Sequence, residues 1–369
     1  MRRLLLLASC ASATLVLATV SIAQSQIYVG VPLGFQLGDR QCFAQDINNI
    51  GQIVGYTEDT SGPAHAFLWQ NGTMTYLPFQ GEDGETTVAN GVNDLGQVVG
   101  GAWPRPTGGS SAVLWQNGSV TDLSQYLPSL GGPTAKAISE SGVVVGSAGA
   151  VQQAYALFNQ CFVGLGTLGG SNSEATDVNS GGTVVGWAHD SADRQRAFAW
   201  QDRDGDFVLD LGEMIDLGTL GGDESFAYAV NDSGQVVGWS TDSAGIRHAF
   251  IWEDSNGNGL SDSGEMSDLG PGWAQDINNR GQVVGCSPAA AFVYENGTTQ
   301  HLFVDGMGWA SLATGINDSG MIAALFWDAD EQSYWSGALV PVPEPSSTLT
   351  LVGGLGCLAT ALKRRRCPR

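Results

Sequence analysis

The sequence predicts an all-β fold: an antiparallel β-propeller of seven blades with four strands each, closed into a ring by a strand from the N-terminus. Three observations lead there. One turn motif recurs seven times, its copies are spaced as propeller blades are, and the segments between them alternate short apolar runs with turn residues and show no helical periodicity.

The motif runs Ala, two residues, Ile or Val, Asn, two residues, Gly, Gln and then Val-Val-Gly. It occupies residues 44–55, 89–100, 135–146, 175–186, 227–238 and 274–285, with a degenerate seventh copy at 313–324. The turn glycines Gly51, Gly96, Gly142, Gly182, Gly234, Gly281 and Gly320 follow one another at intervals of 45, 46, 40, 52, 47 and 39 residues, the period of a blade. Within a copy, Asn-x-x-Gly reads as a tight hairpin turn, because the Asn side chain can bond the backbone two residues on and Gly accepts the positive φ. Asn48, Asn93, Asn179, Asn231, Asn278 and Asn317 hold this place; the third copy has Ser139, which can make the same bond more weakly.

A second strand follows each turn, then an aromatic third strand such as 65–69, 196–200 or 248–252, and then a fourth at 73–77, 162–165 or 214–217. The last repeat has no fourth strand before the Pro-Glu-Pro run at 343–345, since residues 338–340 already belong to its third. Residues 27–34 align loosely with 162–169 and are expected to supply the fourth, removing the exposed edge of an open sheet. An open solenoid of stacked repeats is the competing architecture.

Both ends look processed. Residues 1–23 read as a signal peptide, with Arg2 and Arg3 ahead of an almost wholly apolar stretch and Ser21-Ile22-Ala23 offering small residues for cleavage. A lipoprotein site at Cys10 competes, but Cys10 falls early in the apolar run, and the run is short of the roughly 20 residues of a permanent span. At the other end, Val342-Pro343-Glu344-Pro345-Ser346 precedes an apolar stretch over 349–362 and the basic cluster Lys363-Arg364-Arg365-Arg366. That order resembles the PEP-CTERM sorting signal of Gram-negative bacteria, and the resemblance implies processing by an exosortase. The arginines would stay cytoplasmic and hold the tail in the membrane transiently; a plain C-terminal anchor is the alternative. The domains expected are thus 1–23, a propeller over 24–340 and a sorting tail over 341–369.

Seven of the 15 Lys and Arg residues but only Glu344 of the 37 acidic ones belong to these two ends, so 8 basic residues stand against 36 acidic ones in the rest of the chain. Nucleic acid and anionic membrane surfaces are therefore poor partners, and divalent cations good ones. Cys42, Cys161 and Cys286 are too few and too scattered for a disulfide framework or a thiolate metal site.

The turn motif, the His-Ala-Phe-x-Trp strand (Phe67, Phe250) and the Asp-Leu-Gly-Thr-Leu-Gly-Gly run at 216–222 resemble the HAF family of extracellular repeats, over roughly residues 27–340. The resemblance implies an extracellular location and this architecture, and carries little chemistry.

Two loops between third and fourth strands carry the sharpest chemical pattern. Asp202, Asp204, Asp206, Asp210 and Glu213 fill positions 1, 3, 5, 9 and 12 of a twelve-residue run, as do Asp254, Asn256, Asn258, Asp262 and Glu265, with Val208 and Leu260 at position 7 able to offer a carbonyl. These are the calcium-ligand positions of an EF-hand loop. Gly259 suits the sharp turn at position 6, where the first loop has Phe207. No helices flank either loop, and the pair resembles the loops of integrin-type propellers. Two structural Ca2+ sites are expected; solvated acidic loops are the alternative.

Catalytic groupings are sparse. His65 and His248 share one repeat position, as blade residues would, and His189 with Asp190 is the only acid–base pair worth a test. Residues 231–239 faintly resemble a sialidase Asp-box, shifted in residue order. Trp69, Trp115, Trp200 and Trp252 recur at the end of the third strand, and Trp187 and Trp239 after the Val-Val-Gly strand, as packing residues would; Trp103, Trp273 and Trp309 break the pattern and are better candidates for exposed contacts. The function expected is that of an exported, non-enzymatic surface or matrix protein, a monomeric calcium-stabilised scaffold or binding module. Extracellular polysaccharide is its candidate partner, and the variable loops opposite the Asn-x-x-Gly turns are its candidate binding face. A secreted glycosidase or lyase is the alternative.

Overall fold

A computed structural model describes residues 26–34, 41–58, 62–79, 85–103, 109–127, 131–203, 213–305, 307–328 and 333–342. They form seven antiparallel sheets that follow one another around a ring, six of them meanders in which spatial order repeats chain order. Blades 1 to 6 span 41–76, 86–122, 134–166, 169–216, 221–271 and 273–301. Blade 7 takes its three inner strands from Gly308–Ile316, Ile322–Asp328 and Ser333–Pro341, and its outer strand from Tyr28–Pro32 at the other end of the chain. The register runs from Tyr28 opposite Pro341 to Pro32 opposite Gly337. The ring is therefore seven-bladed and closed by the N-terminal strand, as the repeats predict. Both processed-looking ends, residues 1–23 and 343–369, lie outside the described residues; among those described, no helix is long and apolar enough to cross a membrane.

The hairpin between first and second strands shows why the motif recurs. Asn48 N–H donates to the Gln52 carbonyl (3.0 Å), Gly51 N–H returns to the Asn48 carbonyl (3.1 Å), and Gly51 sits at φ 78°. This is a three-residue loop ending in a left-handed glycine. The side-chain bond differs from the expectation: in all six copies the Asn Oδ1 accepts from the N–H four residues on, as Asn48 does from Gln52 at 2.8 Å, and only Asn231, Asn278 and Asn317 also take the N–H two residues on. The carboxamide thus spans the whole loop. The final glycine of Val-Val-Gly has a separate cause. The inner strand bulges at this point, for example between Ala227 and Ala229, and a Cβ on Gly238 would be driven into the Phe226 carbonyl.

The core lies between blades more than within them. One cluster joins Val185, Ala197 and Ala199 of blade 4 to Leu217, Val236, Phe250 and Trp252 at the face of blade 5, and six others repeat the arrangement around the ring. Trp69, Trp115, Trp200 and Trp252 are all buried there, as their fixed repeat position implies. Among the described residues, Cys42, Cys161 and Cys286 form no disulfide with one another.

Candidate functional site

The seven inner strands enclose a channel whose wall is built in tiers, one residue per blade per tier. The residue after the motif's Ala lines an upper chamber of about 360 Å3: Gln45, Asn90, Lys136, Thr176, Tyr228, Gln275 and Thr314. The next place, turned inward by the bulge, holds Asp46, Gly91, Ala137, Asp177, Ala229, Asp276 and Gly315. The turn Asn tier follows, and the residue after it rims a lower mouth of about 170 Å3.

The two lower tiers knit the ring. Each turn Asn sends its Nδ2 to the carbonyl of its counterpart in the next blade: Asn48 to Asn93 (2.8 Å), Asn93 to Ser139 (3.0 Å), Asn179 to Asn231 (3.0 Å), Asn231 to Asn278 (3.1 Å), Asn278 to Asn317 (2.9 Å) and Asn317 back to Asn48 (3.0 Å). In the rim, backbone N–H groups donate to the next blade's side chain in the same rotation, as from Asn49 to Asp94 (2.7 Å) and from Asp318 to Asn49 (2.8 Å). Ser139 is too short to continue the first ring, although it holds its own turn by accepting from Val143 N–H at 3.1 Å. The seam between blades 3 and 4 is bridged higher up, where Lys136 meets Glu174 at 3.1 Å and Glu174 also accepts from Ser147 (3.2 Å) and from the Gln152 amide.

Three aspartates form the charged tier. Asp46 accepts from its own neighbour Ile47 N–H (2.7 Å) and from Val92 N–H of the next blade (2.8 Å); Asp177 does so from Val178 and Val230, and Asp276 from Ile277 and Ile316. They tie blades 1 to 2, 4 to 5 and 6 to 7. The next blade offers Gly91, Ala229 or Gly315, which leave room for the carboxylate. Removal from bulk water pushes the Asp46 and Asp177 carboxyls up to about 6, against the pull of their N–H donors. The same burial, with repulsion from Asp46 and Asp177, pushes Asp276 up to about 8.

Aromatic rings stand beside the upper chamber. Phe226 lies 4.4 Å from Tyr228, 6.2 Å from Trp239 and 6.4 Å from Trp187 of blade 4, and the Arg247 guanidinium covers Trp239 at 4.1 Å. Trp187 therefore packs across the seam against the inner strand of blade 5, whereas Trp239 packs against the inner strand of its own blade. Of the three irregular tryptophans, Trp309 is 58 % exposed and Trp103 and Trp273 are half-buried.

The second acidic loop is fully described, and the side chains at its expected ligand positions bond within the loop. Asp254 accepts from Gly257, Asn258 and Gly259 N–H groups (2.8, 3.2 and 2.7 Å), Asn256 Oδ1 from Asn258 N–H (3.0 Å), and Asn258 Oδ1 from Leu260 N–H (2.7 Å). Glu265 is buried and accepts from Asp262 N–H (2.8 Å) and Ser255 N–H (3.2 Å). The amide nitrogens of Asn256 and Asn258 both donate to Asp262 Oδ2, at 2.8 and 2.7 Å. They bring the positive ends of two dipoles into a loop whose other side chains are acceptors. The donor set of carboxylates, amide oxygens and a carbonyl suits a hard cation. Among the described residues, however, no three His, Cys, Asp or Glu side chains approach closely enough to hold a metal as they stand. Of the first loop, Asp204, Asp206, Val208 and Asp210 lie outside the described residues, but its two ends match the second: Glu213 is buried and accepts from Arg203 N–H at 3.2 Å, as Glu265 does from Ser255. The loops also clasp blades 4 and 5, since Ser261 Oγ donates to the Leu217 carbonyl (3.0 Å) and Arg203 Nη2 to the Gly259 carbonyl (2.8 Å).

The histidines make no acid–base pair of the expected kind. His189 Nδ1 meets Asp193 at 2.9 Å, whereas Asp190 accepts from Arg194 and Ala192 N–H groups and from the Arg194 guanidinium, which hold its carboxyl down at about 2. His248 Nδ1 sits 2.9 Å from Asp268, and His65 packs beside Tyr76. The channel tiers escaped the sequence reading; their signal was the scatter of Asp, Gly and Ala at the motif's third place, where the small residues sit one blade after each Asp.

No family model and no curated protein matches the chain. Solved structures match it by shape. The extracellular domain of BT4673, a hybrid two component system of B. thetaiotaomicron, is similar over 85 % of this chain and 40 % of its own, at 9 % identity and a TM-score of 0.50. TolB from Acinetobacter baumannii is similar over 80 % of this chain and 64 % of its own (11 % identity, TM-score 0.46), and YCF48 bound to D1 peptide over 88 % and 97 % (13 % identity, TM-score 0.49). The chain thus spans less than two thirds of the first two. At these identities the likeness is one of fold alone.

Proposed function

We propose that this chain is an exported, non-enzymatic binding scaffold of the cell surface or extracellular matrix, stiffened by calcium in the loops 202–213 and 254–265 and sorted by exosortase through its C-terminal tail. The observation that carries this reading is how fully the inward-facing acids are engaged. Both oxygens of Asp46, Asp177 and Asp276 take backbone N–H groups, and Glu174 is bound by Lys136, Ser147 and Gln152. Acids so occupied serve a rigid ring better than proton transfer to a substrate. The upper chamber, with one polar side chain from each blade and the Phe226, Tyr228 and Trp187 rings at hand, is the surface on which a sugar could rest by stacking and hydrogen bonding. Its negative charge favours neutral or basic glycans over uronic acids.

A glycan array, paired with hydrolysis assays on the same sugars, tests the reading. Binding without turnover, weakened by Tyr228→Ala, is the expected result; turnover would move the protein to the secreted carbohydrate-active enzymes. Mass spectrometry of the mature protein tests its sorting. A C-terminus near Pro345 is expected, and an intact Arg369 would point to a plain anchor.

A further inference from the structure

We propose that the tier of Asp46, Asp177 and Asp276 is a proton-binding site built into the ring, so that the propeller is tighter when this tier is protonated and looser when it is fully ionised. The geometry supplies both halves of the device. Each carboxyl joins two blades through an N–H bond to the next inner strand, so its state bears directly on a blade seam. The charges around it are almost all of one sign. Facing the same channel are Asp94 from blade 2, Lys136 and Glu140 from blade 3, Glu174 from blade 4, Tyr228 and Asp232 from blade 5 and Asp318 from blade 7. The single cation among these described groups, Lys136, is already paired with Glu174 at 3.1 Å.

Three ionised carboxylates in one recessed, half-buried tier repel one another, and the narrow channel leaves less water to screen them than bulk solvent would. Protonation relieves both costs, and a protonated carboxyl still offers an acceptor oxygen to the seam. The sign follows from proton linkage. The folded ring holds these carboxyls at about 6, 6 and 8, above the ordinary value of 3.8, so it binds more protons than the unfolded chain. Stability from this tier is fully present below pH 3.8 and is lost as the pH rises through 6 to 8.

The test uses the full chain in chelator, so that release of a cation from the acidic loops cannot imitate the effect. The urea midpoint is measured from pH 5 to pH 8.5, and carboxyl titration is followed by infrared difference spectroscopy over the same range. A midpoint that falls with rising pH is expected, together with a carboxyl band that ionises above pH 6 and is lost in Asp276→Asn. The fall should shrink in that variant and in Asp177→Asn. A midpoint that is flat or rises, with all carboxyls ionised below pH 5, would overturn the proposal. Should a variant not fold, the wild-type spectrum alone decides.

Discussion

Replacing Asn278 by Ala should be among the most costly single changes in a turn loop, because one carboxamide serves two blades. Its Oδ1 accepts from Arg280 N–H (3.1 Å) and Gln282 N–H (3.0 Å), and its Nδ2 donates to Gln282 Oε1 (2.8 Å) and to the Asn317 carbonyl across the seam (2.9 Å). Asn278 is 4 % exposed, Gln282 6 % and Asn317 4 %, so water cannot replace all four bonds. Arg280 is exposed and its N–H can be hydrated; Gln282 N–H and the Asn317 carbonyl cannot. Leaving each of these buried groups unpaired costs about 1–3 kcal/mol, which puts Asn278→Ala at about 3 kcal/mol, with about 2 kcal/mol as the floor. Serine gives an internal comparison. Ser139 shows that a hydroxyl can hold its own turn without reaching the next blade, so Asn278→Ser should recover roughly half of the loss. The assay is urea unfolding with the slope checked for constancy between variants. A loss below about 1 kcal/mol for the Ala variant, or equal losses for Ala and Ser, would refute the staple argument.

Deleting residues 26–33 removes the outer strand of blade 7 and uncovers the edge of Ser333–Pro341; the melting temperature should drop sharply and light scattering should rise with concentration, whereas an unchanged melt would sink the closure. Calorimetric titration with Ca2+ should show two sites and a higher melting temperature, each site adding about 2.7 kcal/mol of stability when free ion reaches 100 times its dissociation constant. Glu265→Gln, which removes the charge at position 12, should abolish one of the two; the absence of heat in the wild type would remove calcium from this protein. Gly238→Ala should destabilise by about 3 kcal/mol through the clash with the Phe226 carbonyl, read as a lower urea midpoint, and a neutral outcome would show that the inner-strand bulge can yield.

The degenerate seventh copy shows how far the pattern can be trusted. Ala324 stands where six copies have glycine, and the inner hairpin of blade 7 accommodates it with an additional register shift between Ala310 and Leu312. The Asn-x-x-Gly turns were legible because the bonds that define them join residues three and four apart. The acidic loops were legible as ligand spacing for the same reason, but their clasp from Ser261 to Leu217 joins residues 44 apart, across a seam, and has no local signature. His189 and Asp190, the acid–base pair worth a test, stay out of contact for a local reason. Adjacent residues on a strand point to opposite sides, and only the turn that follows brings Asp193 to the imidazole.

Repeat number, strand order, turn chemistry and the need for a closing strand are properties of single repeats, and the amino-acid sequence by itself determined them: each is written within about one blade length, where hydrophobic alternation and the Asn and Gly of the turn act on their own neighbours. Tertiary structure alone decided what the channel is. Asp46 meets Val92 N–H, Asp177 meets Val230 and Asp276 meets Ile316 only because consecutive blades pack with their inner strands side by side, and closure of the ring gathers the three into one channel. Until that closure the three aspartates are solvated acids with no shared environment; after it they share one half-buried channel, and the charge that keeps the unfolded chain soluble becomes a cost the fold must carry.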